Sequence, residues 1–362
     1  MTTACMRRDA AVAALAVAIA LLAGARAWAQ PAAGSAPAGD LQRIKERLVE
    51  RRLDTDADDA NRAEALMASM KPDGSWEDID YVDQGSASFK PAEHVQRLVT
   101  LARAWAQPLG RLHNDKTVRN RIEAGMTCWL TRDPKSTNWW WNEIGAPQGI
   151  ADLLLLGWEG LSAESRRGGL KILARSWPHP SPMTGENLVW VARIGMVRGC
   201  LEPDEAMVKD AARAIASTMT ITEKEGVQPD FSFHQHGAQL YSGGYGMGFA
   251  TDCAEFAALV QGTAMALTPE QVETLSHYIL DGQQWMVRGE TFDPGAMGRE
   301  LSRPRSTGKA RALMGACANL AGLNTPRKAE FEAFAQRLRG GATDKTLDPS
   351  VPSVLIVWVR FI

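Results

Sequence analysis

His236 and Tyr245 stand nine residues apart, separated by a glycine-bearing loop. An imidazole and a phenol brought together make an acid/base pair, and burial or a neighbouring charge tunes each. The chain has four tyrosines, and two of them, Tyr241 and Tyr245, follow closely on His234 and His236, which singles this stretch out. His234 and His236 would share a face of a strand and suit a metal, but no third ligand stands nearby; a structural role is the other reading. Arg299 and Arg303 lie four apart between Gly298 and Pro304. If that stretch is one helical turn, both guanidinium groups share a face and clamp a carboxylate or sulfate; otherwise they are a solvated surface pair. Trp139, Trp140 and Trp141 are consecutive and flanked by Asn138 and Asn142. Three adjacent indoles cannot all enter one core, so at least one should face solvent or a ligand. A flat exposed indole stacks on the apolar face of a sugar ring; packing between helices is the alternative.

These residues sit between segments that read as helices. Apolar residues recur at three- and four-residue spacing over 94–105, 118–130, 150–161, 169–177, 187–201, 206–219, 249–267, 271–286, 310–323 and 328–338, with Leu41, Ile44 and Leu48 starting the series. Pro and Gly punctuate them, as at Pro134, Pro147 and Pro304. Alternating strand patterns are scarce before the last dozen residues. The expectation is an all-α domain of about a dozen helices, too many for a four-helix bundle. No known solenoid signature recurs, so stacked helical hairpins forming an (α/α) toroid are preferred, with the long loops building a cleft at one end.

The 362 residues are 45% hydrophobic and 23% charged, which excludes a largely disordered chain. Forty Lys plus Arg balance 42 Asp plus Glu, so no bulk basic field for nucleic acid exists. Residues 1–29 read as a signal peptide: Arg7 and Arg8, the apolar run from Ala10 to Ala23, then Ala27-Trp28-Ala29 as a cleavage site. A Pro/Ala/Gly linker over 30–40, a domain over 41–340 and a tail over 341–362 follow. A secreted or periplasmic monomer, free of the membrane after signal cleavage, is expected. Cys5 leaves with the signal; Cys128, Cys200, Cys253 and Cys317 sit in apolar contexts and read as buried thiols, with one disulfide as the alternative.

Taken in order, Asn138-Trp139-Trp140, Ile144-Gly145-Ala146-Pro147, Asn187 after Thr184-Gly185, Ser232-Phe233-His234-Gln235-His236, Tyr245, and Arg299 through Pro304 resemble polysaccharide lyase family 8. Asp73-Gly74-Ser75-Trp76 and Asp78-Ile79-Asp80-Tyr81 are also similar to it. The family includes hyaluronate, chondroitin AC and xanthan lyases, and the likeness covers about residues 40–325. It implies an incomplete (α/α) toroid and cleavage of a uronate-containing, anionic polysaccharide by β-elimination. Asn187 would hydrogen-bond the uronate carboxylate and stabilise the enolate-like intermediate. His236 would support that role or take the C5 proton. Tyr245 would serve as base, as acid to the departing O4, or as both in turn. Arg299 would lower the phenol's pKa and favour phenolate. Asn138, Trp139 and Trp140 match the sugar-binding aromatic patch, and Arg303 the second arginine. No metal or organic cofactor is implied.

Phe231 stands where the family has glycine, so the local turn is expected to differ. Members usually continue into β-sandwich domains that form the other cleft wall. This chain ends at Ile362 on an apolar run that reads as one unpartnered strand, and the expectation is a toroid without those domains. Competing readings are a glycoside hydrolase using Glu143 and Glu186, a carbohydrate-binding protein without catalysis, and a terpenoid-cyclase-like toroid resting on Asp-Gly-Ser-Trp alone.

Overall fold

The computed structural model describes residues 39–53, 59–176, 181–303 and 307–340. The signal segment, most of the linker, Pro304 and the tail lie outside the described residues. Twelve α-helices account for most of the rest: α1 (Asp40–Leu53), α2 (Asp59–Ser69), α3 (Ala92–Ala106), α4 (Lys116–Arg132), α5 (Ala146–Gly157), α6 (Ala163–Leu173), α7 (Gly185–Leu201), α8 (Glu205–Ser217), α9 (Tyr245–Val260), α10 (Pro269–His277), α11 (Leu313–Gly322) and α12 (Lys328–Gly340). Many starts are written locally. Asp115, Ser162 and Asp204 accept backbone N–H groups at the entries to α4, α6 and α8, and Thr268 and Gln271 form a reciprocal capping box on α10. α2, in the charged stretch after Leu48, has no strong apolar stripe to announce it.

The helices form two layers. α3, α5, α7, α9 and α11 pack in succession, and α4, α6, α8, α10 and α12 each back onto the preceding inner helix. Composition separates the layers. In α5 ten of twelve residues are buried, whereas α8 buries only Val208, Ala211, Ala212 and Ile215, the single stripe of an outer helix. Among the described residues α11 and α12 make no extensive contact with α2 or α3, so the succession stays open, as an incomplete toroid requires.

α1 fills the space that the inner helices enclose, touching α3, α5, α7 and α9. Polar groups as well as Ile44 and Leu48 hold it there. Arg47 donates to the Leu259 and Gln261 carbonyls at the end of α9, where the helix dipole favours a cation. Arg52 pairs with Asp152 of α5 at 2.6 Å and Glu255 of α9 at 3.1 Å. Arg193 of α7 pairs with Asp252 and Glu255. Two hairpins of two-residue strands supply the only named strands among the described residues: β1 (Gly226–Val227) with β2 (Phe233–His234), and β3 (Val287–Arg288) with β4 (Thr291–Phe292). The four cysteines are buried free thiols. No helix among the described residues is long and apolar enough to cross a membrane.

The Asp73–Tyr81 segment serves the fold. Trp76 is almost fully buried and its indole N–H donates to the Leu66 carbonyl. The Tyr81 hydroxyl accepts the Trp76 N–H and donates to Nδ1 of buried His94, whose Nε2–H donates to the Gly125 carbonyl. That chain ties the loop before α3 to α3 and α4.

Candidate active site

Tyr245 opens α9, and His236 lies on the segment that leads from β2 towards it. Their rings meet edge to face with centroids 4.9 Å apart. The third member arrives from a short 3₁₀ helix, Gly298–Ser302. Arg299 Nη2 donates to His236 Nε2 at 3.0 Å and to the Tyr245 hydroxyl at 3.3 Å. A guanidinium has no acceptor, so His236 Nε2 must be unprotonated there, leaving the proton on Nδ1 in the neutral ring. Burial and Arg299 hold the His236 pKa below the ordinary histidine value, with Glu225 opposing them. Both effects favour the neutral ring.

At Tyr245 the expected lowering by Arg299 is present but does not prevail. Burial pushes its hydroxyl above the ordinary tyrosine value, and Arg299 and Arg303 only partly offset that. Among protein neighbours alone the phenol is therefore protonated at neutral pH, not phenolate. Desolvation of the charged form outweighs the two part-exposed cations.

The two arginines also diverge. Arg299 lies within the 3₁₀ helix, whereas Arg303 is its extended C-cap residue, so the two do not share one helical face. Arg303 turns one nitrogen to buried Glu300 at 2.7 Å, which also takes Lys309, while its charge still acts on Tyr245 beside that of Arg299.

Asn187 lies in the first turn of α7, 7% exposed, with its Oδ1 buried and unpartnered. A hydrogen bond from this amide to a carboxylate would come from its Nδ2–H groups, because Oδ1 only accepts. The turn before it depends on Gly185, whose φ is +52° and where a Cβ would lie 2.3 Å from Gln235 Oε1. That oxygen accepts the Glu186 N–H at 3.1 Å. Phe231 likewise holds a left-handed backbone, at φ +60°, with its ring stacked on His277 at 5.0 Å.

The tryptophans divide. Trp139 is 43% exposed. Trp140 and Trp141 meet edge to face at 5.0 Å and lie half-buried against Gly145, where a Cβ would come within 2.7 Å of both rings. A π-helical turn, Trp141–Gly145, carries them into α5. From Trp140 an aromatic path continues to Trp190 at 5.6 Å and Tyr245 at 5.4 Å. Trp190 was not anticipated, although it lies three residues after Asn187 and so on the same face of α7. Its N–H donates to Asp252. A cavity of about 520 Å³ reaches from Trp140 and Trp190 towards Arg52 and Arg193. Asn138 commits both ends of its amide to backbone, accepting from Trp140 N and donating to Ser86 O.

Glu186 is fully buried, and burial beside Asp252 raises its pKa well above the usual carboxylate range. It cannot face Glu143 across an open cleft, so the hydrolase reading loses its carboxylate pair.

The open double-layered ring of helical hairpins places the chain among (α/α)-toroid domains. It belongs to polysaccharide lyase family 8: the profile of that family's N-terminal alpha-helical domain matches residues 32–336. Chondroitinase-AC of Pedobacter heparinus is 32% identical over 253 residues, covering 67% of this chain and 35% of that protein. Xanthan lyase of Bacillus sp. strain GL1 is 24% identical over 306 residues, covering 78% and 32%. A solved chondroitinase AC lyase, studied as enzyme–oligosaccharide complexes, superposes with a TM-score of 0.78 at 28% identity, over 84% of this chain and 45% of that one. The chain spans about a third of the length of the curated relatives it matches.

Proposed function

We propose that this chain carries the catalytic centre of a lyase that cleaves a uronate-containing polysaccharide by β-elimination. The observation that carries the reading is Arg299 Nη2 bridging His236 Nε2 and the Tyr245 hydroxyl. With Nε2 occupied, His236 presents Nδ1–H as a donor. Together with the Asn187 amide it would neutralise the uronate carboxylate, which acidifies C5–H and stabilises the charge that develops there. Tyr245 would take the C5 proton and return it to the departing O4, with Arg299 favouring the phenolate while it exists. Cleavage of the C4–O4 bond then leaves a C4=C5 double bond on the uronate, which becomes the non-reducing end of the reducing-side fragment. Trp139 would stack a sugar ring, and the net of aromatic contacts from Trp140 through Trp190 would hold Tyr245 in place. The N-terminal sequence supports an exported location, where such polymers occur.

A second assignment within this chemistry has His236 as base, with Arg299 releasing Nε2 so that its lone pair can take the C5 proton, and Tyr245 as acid alone. The raised pKa of the resting phenol favours it.

Incubation with chondroitin, hyaluronan and xanthan tests the reading. A lyase produces an unsaturated, ultraviolet-absorbing product that Tyr245→Phe abolishes. Reducing ends without that absorbance would mean hydrolysis, and binding without turnover would mean a carbohydrate-binding protein.

A further inference from the structure

Asn187 and His236 sit on different parts of the fold, α7 and the segment after β2, and nothing in the local sequence of either sets their separation. One carboxylate joins them. β1 and β2 pair with Gly226 opposite His234, so Glu225, just before β1, comes opposite Gln235, just after β2. Glu225 Oε2 accepts from Gln235 Nε2 and from the Thr184 hydroxyl, both at 2.5 Å. Its Oε1 accepts the Gly237 N–H at 2.8 Å.

Each contact reaches the site. Thr184 is the N-cap residue of α7, yet its side chain does not cap that helix; its hydroxyl turns to Glu225 instead. Gln235 supplies the missing cap, its Oε1 accepting the Glu186 N–H next to Asn187. Gly237 follows His236, which holds a left-handed backbone at φ +60°. A non-glycine residue keeps that conformation only where its surroundings over-determine it, and the Gly237–Glu225 bond is one such restraint.

We propose that Glu225 is a positioning residue: it fixes the start of the Asn187 helix against the His236 segment and so sets the spacing of the two groups that would grip the uronate carboxylate. The inference rests on the lyase reading for its catalytic consequence. Its electrostatic consequence stands apart. Arg299, Tyr241, Tyr245 and Glu225 are the titratable or charged groups that face His236, and Glu225 alone among them raises the imidazole's proton affinity.

Glu225→Gln keeps the size and removes the charge. We expect the His236 imidazole, assigned by its loss in His236→Ala, to titrate at lower pH by NMR. Hydrogen exchange at the Glu186 and Gly237 amides should accelerate. With active enzyme, kcat should fall about 10- to 100-fold while KM changes less than about threefold, as for a misplaced group rather than a lost binding contact. A residue that merely supports the fold would lower Tm and leave the titration and kcat where they were; that result overturns the proposal. If the wild type makes no unsaturated product, the lyase reading fails by itself, and the titration and the two exchange rates still decide on Glu225. Should Glu225→Gln not fold, Thr184→Val removes the α7 arm alone: faster exchange at Glu186 supports the proposal, and unchanged exchange overturns it.

Discussion

Arg299 Nη2 sits 3.0 Å from His236 Nε2, and this one contact dictates the tautomer of the histidine. The arginine can only donate, so the imidazole must accept, and its remaining proton points away from Arg299. It also joins residues 63 positions apart in sequence, on a cluster where the phenol is protonated and the imidazole neutral at rest.

The pH profile separates the two proton routes. If Tyr245 is the base, kcat/KM rises with pH towards the raised tyrosine pKa, because only phenolate accepts the C5 proton. Arg299→Met removes a group that lowers that pKa and should move the rising limb to higher pH. A profile that instead falls at alkaline pH, with an acid limb below the ordinary histidine value, assigns the base to His236.

Asn187→Ala should lower kcat by about 10²–10³-fold if its amide stabilises developing charge. Its Oδ1 is already unpartnered, so Tm should change little. Lost stability with unchanged turnover would mark the residue as structural.

Trp139→Ala should weaken polysaccharide binding by about 1–3 kcal/mol, by analogy with stacking on other flat rings, and leave Tm nearly unchanged because the indole is part-exposed. Trp140→Ala should lower Tm as well, since it removes contacts to Trp141 and Trp190. Calorimetry with substrate fragments and thermal melts would separate the two effects.

His94 should make the fold acid-sensitive. Burial lowers its pKa from 6.5 to about 4, so the unfolded chain binds its proton first as pH falls. The neutral ring's stability is complete above pH 6.5 and declines as pH drops towards 4, by up to about 3 kcal/mol. His94→Gln should be less stable at pH 7 but show a flatter dependence across that interval; parallel curves would refute the assignment.

Glu186 works in the opposite sense. Its folded pKa is raised, so the folded state holds its proton more tightly and stability falls as pH rises above the ordinary carboxylate value. Glu186→Gln keeps the shape without the ionisation. Its Tm should exceed that of the wild type most at alkaline pH, and a variant less stable there would show that the charge is favourably held.

Helix number and type were legible in the sequence because a 3.6-residue apolar period and the caps at Asp115, Ser162, Asp204 and Thr268 are local properties. The chemical types at the site were legible too: His236, Tyr245 and Arg299 are rare or suggestively placed residues, and the tertiary structure brings all three together. Glu225 carried no signal, because a surface glutamate before a turn looks like any other until its three donors arrive from elsewhere. Apolar periodicity says which face of α1 is buried but not that the inner helices surround it. Four-residue spacing says that Arg299 and Arg303 share a face only if the segment is α-helical, whereas it is a 3₁₀ helix that ends before Arg303. The Tyr245 pKa followed the same logic: sequence identifies the cation beside the phenol, whereas the dielectric around both is a property of the assembled fold, and there burial outweighs charge.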